Sequence, residues 1–387
     1  MITRAMGREL LRGSGWPLAV VVLAGVAAVL LGDPLWAGNW GELAVGVRTS
    51  LMFVVPVAAM TGTWVSGRAL RRGTAELLAI SPRPRWQPLV ASWAGLTAGA
   101  SLGLLAAWAA AGALVVPIAT HGSAAWVGML LGCVPILAAA TAFGLAFGHV
   151  VTWRLAAPLC GIVAGLAVVA FQWGAHDAYL VLSPLLLTAR SVGTVYPDEI
   201  NALQALWFAA LTAALLGMVS FRRKLLALVP TALAVAAAGA LVLNAPHWEP
   251  DPVAQEQVCV TNGGTVCGPR VQEHVYPEVA ALAQPMLDKL RGIPGAPTQV
   301  TYGGSEGMSL HETTPTGALA DPEFERTALA NDLVSGNYTC QDPAFMTGRP
   351  IASGLLLGDQ QPDRNWLTSY YAALNTCDAE GMRALLR

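Results

Sequence analysis

Lysine is nearly missing from this 387-residue chain: Lys224 and Lys289 stand beside twenty arginines. Charge of either sign is scarce. It makes up 12% of residues, where soluble domains carry about a quarter, and 55% of residues are apolar, which excludes an ordinary soluble protein. Neither lysine sits in a G-x-x-x-x-G-K-[ST] run, so ATP hydrolysis by that phosphate-binding loop is excluded. The apolar runs hold no central Asp, Glu, Lys or Arg. Ion-coupled carriers and proton pumps need such groups inside the membrane, and His149, near an inner end, cannot form a relay alone. His311-Glu312 opens H-E-T-T-P rather than H-E-x-x-H. The second histidine of a zinc pair is missing, Pro315 would break the helix, and a surface loop is the reading. Ser305, Ser309 and Ser335 lack a G-x-S-x-G setting. No catalytic residue, metal ligand or cofactor is expected, and no nucleic-acid partner.

What charge there is divides the chain. The first 244 residues hold 7 acids and 14 bases; from Ala245 onward there are 17 acids and 8 bases. A basic membrane body followed by an acidic tail domain is expected. About 20 apolar residues cross a bilayer core, and the gaps between charges predict seven spans, near 16–32, 49–66, 87–119, 124–148, 155–175, 201–220 and 225–243. The longest uncharged stretch, Trp86 to Trp153, is 68 residues. Only Thr120-His121-Gly122-Ser123 interrupts it, so it makes two helices. With a cytoplasmic N-terminus, the inner segments carry 12 bases, against Arg48 and Arg190 in the outer loops. That bias is what positive-inside insertion requires, and Trp16, Trp36, Trp64, Trp86, Trp126, Trp153, Trp173 and Trp248 near span ends form the aromatic belt. The expected class is thus an α-helical polytopic membrane protein of about seven transmembrane helices in the cell membrane, with residues 244–387 as an extracytoplasmic domain. The first span is read as a retained anchor and not a signal peptide, because no small-x-small site follows it.

Within this frame several stretches have two readings. In residues 1–15, Arg4, Arg8 and Arg12 recur every fourth residue. They make either an interfacial amphipathic helix or simple topology signals. Glycines recur at spacing four in Gly95/Gly99/Gly103, Gly128/Gly132, Gly144/Gly148 and Gly161/Gly165, which serves packing within the chain or a dimer seam. Cys133 and Cys160 read as packing residues. Ala178–Ala189 is too short to cross and is broken by Pro184. It reads as a re-entrant or interfacial outer segment, or as a lid of the outer domain.

The tail, at 144 residues, is long enough for its own core. V-C-V-T-N-G-G-T-V-C predicts a hairpin closed by a Cys259–Cys267 disulfide, which leaves Cys340 and Cys377 to pair. Helices are expected over Pro277–Arg291, from Asp321-Pro322 to Gly336, over Asn365–Leu374 and over Ala379–Leu386, with a strand at Thr298–Tyr302: an α+β domain with disulfides. Asn337-Tyr338-Thr339 matches a glycosylation acceptor.

The loop Gly67–Trp86 carries Arg68, Arg71, Arg72, Arg83 and Arg85 against a single acid, Glu76. A short helix Thr74–Ile80 within it either docks a cytoplasmic partner or anchors the loop on acidic lipid. The order of parts over Met1–Ser220 resembles the permease subunits of ATP-binding-cassette (ABC) exporters of the second type. The matching features are an interfacial N-terminal helix, a basic loop with a short helix after the second span, and a re-entrant apolar piece before the sixth. The resemblance implies that the loop is a coupling helix. Arg71, Arg72, Glu76, Leu77, Leu78, Arg83 and Arg85 would then receive force from a separate ABC ATPase subunit that binds ATP and Mg in trans. It also implies export by a homodimer or heterodimer of permeases in membrane lipid. The seventh span and the tail depart from that family. The tail, through V-C-V-T-N-G-G-T-V-C and Y-P-E-V-A-A-L-A-Q-P-M-L, is similar to extracytoplasmic domains of actinobacterial permease-like proteins. Some of these resemble gluzincin aminopeptidase regions; without metal ligands such a domain would be non-catalytic. Two other classes stay open: a membrane-anchored sensor or scaffold whose outer domain binds a ligand or partner, and a membrane enzyme with an outer active site.

Overall fold

The computed structural model describes residues 7, 10, 13–32, 34–68, 86–120, 124, 126–151, 153, 155–173, 180–185, 193–220, 224–244, 248–261, 264–302, 313–335, 340, 342–358 and 363–387. The chain is mostly helical and divides into two units. One comprises Met1–Trp36, Trp40–Ala113 and Ser123–Asp251; the other comprises Ala37–Asn39, Leu114–Gly122 and Pro252–Arg387.

The first unit is built from α1 (Gly15–Gly32), α2 (Trp40–Thr49), α3 (Leu51–Ser66), α4 (Trp86–Val115), α5 (Trp126–Val150), α6 (Ala156–Trp173), α7 (Asp198–Ser220) and α8 (Leu228–Leu243). Among the described residues, five helices are long and apolar enough to cross a membrane: α1, α4, α5, α7 and Leu225–Leu243, which contains α8. A sixth arises if α2 and α3, bent by 43° at Ser50, count as one span. The apolar part of α6, Ala156–Ala170, is shorter. Val229 and Val235 on α8 and Leu166 on α6 are well exposed, as lipid-facing side chains of a membrane-embedded protein are.

Small residues set how closely these helices approach, because in lipid close packing replaces the hydrophobic drive. Gly99 and Gly103 of α4 lie directly on the backbone carbonyls of Gly15 and Ala19 of α1. Gly62 of α3 and Gly144 and Gly148 of α5 meet in the same way; a Cβ at Gly148 would fall 2.6 Å from the carbonyl oxygen of Thr63. Hydrogen bonds then fix register. Thr63 Oγ1 donates to Gly144 O at 2.9 Å, Trp93 Nε1 to Ala138 O at 3.0 Å, and the Thr97 and Thr141 hydroxyls are 2.8 Å apart. These glycine stripes are therefore used inside the chain.

A two-stranded antiparallel ladder pairs β1 (Thr194–Val195) with β2 (Glu249–Pro250). It ties the start of α7 to the exit of α8, so that those two helices form a hairpin. Tyr196 packs edge-on to Trp248 with ring centroids 4.1 Å apart. No sequence pattern marks two strands of two residues each, which exist only because α7 and α8 are paired.

In the second unit, β3 (Gln257–Val260) and β4 (Val266–Pro269) form an antiparallel hairpin with Cys259 opposite Cys267, joined by a disulfide. β5 (Val300–Thr301) adds parallel to β4. The helices are α9 (Tyr276–Leu290), α10 (Pro322–Ser335), α11 (Pro343–Leu357), α12 (Arg364–Thr376) and α13 (Ala379–Leu385). α9 buries Val279, Met286 and Leu290 on one face. The Asp321, Asp342, Asp363 and Asp378 carboxylates accept from the first backbone N–H groups of α10 to α13, the arrangement that satisfies orphan donors at a helix start. α11 has no counterpart in the sequence reading, because Gly348, Pro350 and Gly354 obscure its period. Its helix is held by burial of Phe345, Ala352 and Leu356 and by Lys289 Nζ, which donates to the carbonyls of Leu355, Leu356 and Gly358 at its end. A second disulfide, Cys340–Cys377, closes the domain. Gly336 and Asn337-Tyr338-Thr339 lie outside the described residues.

Candidate functional site

α3 runs to Ser66 and is capped by Gly67, whose N–H reaches Thr63 O and Val65 O; α4 begins at Trp86. Arg71, Arg72, Glu76, Leu77, Leu78, Arg83 and Arg85, with the expected helix Thr74–Ile80, lie outside the described residues. Most of residues 1–15 lie outside them too.

The structure brings together a different set. Sequence reading leaves Arg48 in an outer loop ahead of a span starting at residue 49. That placement is corrected: the helical pair starts at Trp40, and Arg48 sits in the last turn of α2 with only 1% of its surface exposed. In W-G-E-L-A-V-G-V-R-T the buried positions include Leu43, Ala44, Val47 and Arg48, so the arginine continues the apolar face. The missed signal is the helical spacing of Leu43, Val47 and Arg48, which a search for charge-free gaps discards.

Arg48 points at the segment 180–185, in which Leu180, Val181, Ser183 and Leu185 are buried. Nε donates to Pro184 O at 2.9 Å, and Nη2 donates to Gln204 Oε1 on α7. Gln204 Nε2 in turn donates to Val181 O at 2.7 Å and Ser183 O at 3.0 Å. Irregular backbone at membrane depth is tolerated only where protein groups satisfy it. Two side chains here supply donors to three of its carbonyls, and Ser183 Oγ accepts from Leu185 N at 3.2 Å. The arrangement fixes a short apolar piece against α2 and α7.

Two polar atoms of the same neighbourhood are buried without a hydrogen-bond partner among the described residues: Arg48 Nη1 and Asn201 Oδ1. Both side chains lie beside glycines of α5. Gly132 stands next to Arg48 Nη1, and Gly128 faces Asp198 and Asn201. Trp40, Trp108 and Trp126, from the start of α2, the end of α4 and the start of α5, pack with centroids 5.3–5.8 Å apart.

The second unit shows structural chemistry. Tyr276 and Tyr302 stack at 5.8 Å, and Tyr302 Oη donates to the buried Glu325 at 3.3 Å. Burial, and then the charge of Glu325, drives the Tyr302 phenol far above its ordinary range. Tyr370 Oη donates to Val334 O and Tyr371 Oη to Leu333 O, closing the end of α10. Burial pushes Tyr370 up to about 12 and raises Tyr276 and Tyr371 as well. Ser335 Oγ donates to Asn331 O within α10; His311, Glu312, Ser305 and Ser309 lie outside the described residues. Among the described residues no group of three His, Cys, Asp or Glu side chains is placed to hold a metal ion. Cys133 and Cys160 are buried in the helical unit and not disulfide-bonded.

No family model, no curated protein and no solved structure matches the chain.

Proposed function

We propose that the chain is the membrane-spanning permease subunit of an ABC exporter of the second type. A separate ATPase drives it through the loop 67–86, and the C-terminal domain lies outside the cell. The observation that carries this reading is the buried segment 180–185, pinned by Arg48 and Gln204 and preceding α7 in the chain. A short re-entrant piece ahead of that span is what the resemblance implies.

Helix directions support seven crossings. The tryptophan cluster puts the starts of α2 and α5 and the end of α4 on one face; the Arg48 cluster adds the segment 180–185 and the start of α7, and the β1–β2 ladder adds the end of α8. α5, 25 residues long, leaves that face, and the chain is back on it by residue 180. α6 provides the return, and its 18 residues span about 27 Å at 1.5 Å each, near the hydrocarbon thickness. The end of α3 and the start of α4 then fall on the opposite face, and the arginines of the sequence between them make that face the cytoplasmic one. The two disulfides fit an oxidising exterior.

The test is purification of the tagged full-length chain from native membranes. A nucleotide-binding ATPase should accompany it and be lost when Arg72 and Glu76 are both reversed in charge, with membrane insertion unchanged. A stable complex with no ATPase overturns the proposal.

A further inference from the structure

In the second unit the outward faces of α9 and α10 carry charged and polar groups: Glu278, Gln284 and Asp288 on the one, Glu323, Thr327 and Asn331 on the other. α11 differs. Its exposed residues are Pro343, Met346, Thr347, Pro350, Ile351 and Gly354, and none is charged. At about 100° per residue these positions fall within about 140° of arc, so they form one continuous stripe along the helix. Met346 is 63% exposed and Ile351 45%. The Thr347 hydroxyl donates to Pro343 O at 3.3 Å, so its polar group is already satisfied within the helix. A Cβ at Gly354 would meet nothing within 4 Å. The opposite side of α11 buries Phe345, Ala352 and Leu356 in the domain core. A helix that is apolar on both sides is ordinarily covered on both.

Charge decides what covers it. From Ala245 onward the chain has 17 acids against 8 bases. A basic partner would be drawn to those acids, and the stripe offers none. A lipid surface holds a helix through basic residues and aromatic side chains, and the stripe has neither. Two copies of so acidic a domain repel each other over most of their surface. They can meet only where charge is missing, and the exposed face of α11 is such a place. Arg349, with Nη1 3.6 Å from Met346 Sδ, stands at its edge.

We propose that the exposed face of α11 is where the C-terminal domain meets the same domain of a second copy of this chain. A two-fold axis puts the same stripe on both sides of the contact, so Thr347 and Ile351, near its middle, lie close to their own counterparts. The 15 residues of α11 make a face about 22 Å long. Two such faces bury well under the roughly 1,200–2,000 Å² of a stable free interface. The contact is therefore a weak one, which forms when both copies lie in one membrane and confinement keeps their local concentration high. The inference does not depend on the chain being an exporter subunit: a preparation without an ATPase can still hold paired chains.

The test uses the full chain in native membranes, with one cysteine added by Thr347→Cys or Ile351→Cys and, for comparison, by Thr368→Cys on the exposed side of α12. Cys133 and Cys160 are buried, and the remaining cysteines are paired in the two disulfides. Under mild oxidation the two α11 variants should give a cross-linked band at twice the chain mass, about ten times faster than Thr368→Cys. Adding Met346→Asp to the Thr347→Cys chain sets like charges against each other across the contact and should slow its cross-linking about tenfold. All these positions are exposed, so the fold is kept. The proposal is overturned if the α11 variants cross-link no faster than Thr368→Cys, or if Met346→Asp leaves the rate unchanged. A cross-linked band of any other mass also overturns it, because the partner is then a different protein. So does quenching, by nitroxide-labelled lipid, of a fluorophore attached through Thr347→Cys, because the face then rests on the bilayer.

Discussion

At the scale of single residues, burial decides the behaviour of the polar side chains. Gln204 accepts from Arg48 and donates to two carbonyls of the segment 180–185. Gln204→Leu keeps the volume but strands a guanidinium N–H and two carbonyls. A loss of about 3 kcal/mol is expected, read as a lowered thermal midpoint of the full chain in detergent. The tyrosines of the second unit make a pH prediction. Tyr370 is raised to about 12, and Tyr276, Tyr302 and Tyr371 are raised too, all chiefly by burial. Their unfolded value is about 10. The stability they hold is complete below about pH 10 and is lost as pH rises through the folded values. Tyrosinate absorbance should therefore appear steeply near pH 12, together with loss of far-ultraviolet ellipticity. A gradual titration centred at pH 10 with structure intact would contradict this.

At the scale of elements, the close crossings of α1 with α4 and of α3 with α5 rest on missing side chains. Gly144→Ala places a methyl group on the Ala59 carbonyl, and backbone cannot yield as a flexible side chain does. A cost of about 3 kcal/mol is expected. Thr63→Val removes the hydroxyl shared between Gly144 O and Ala59 O and should cost about 0.6 kcal/mol. Denaturant midpoints of the two variants, measured side by side, check the order. The same contacts explain what was legible. Apolar length marked each of these helices, and spacing-four glycines marked the close faces. Nothing in a single sequence says which glycine face meets which helix, because the pairing depends on the path of the chain between them.

At the scale of the whole molecule, the prediction concerns orientation. A cysteine introduced beside Asn375 should react with a membrane-impermeant thiol reagent in intact cells, whereas one beside Gly73 should react only after lysis. The reverse pattern would invert every assignment of faces. The Cys340–Cys377 disulfide closes a sequence separation of 37 residues, and removing it should cost about 4 kcal/mol; the Cys259–Cys267 pair, with a separation of 8, should contribute about 2.5 kcal/mol. Thermal midpoints of Cys340→Ser and Cys259→Ser, each with its partner also changed, compare the two.

Composition and the spacing of charges were enough to specify a membrane-embedded helical body, a tail of different character and the pairing of four cysteines. These follow from transfer free energies and from short-range turn chemistry, which act on neighbours along the chain. The burial of Arg48, its hold on residues 180–185, helix α11 and the β1–β2 ladder were decided only by the tertiary structure. Each depends on groups far apart in sequence: Arg48 needs Gln204, the carbonyl ends of α11 need Lys289, and Thr194 needs Pro250. A charge beside an apolar run reads as a boundary until a distant donor or acceptor makes its burial affordable.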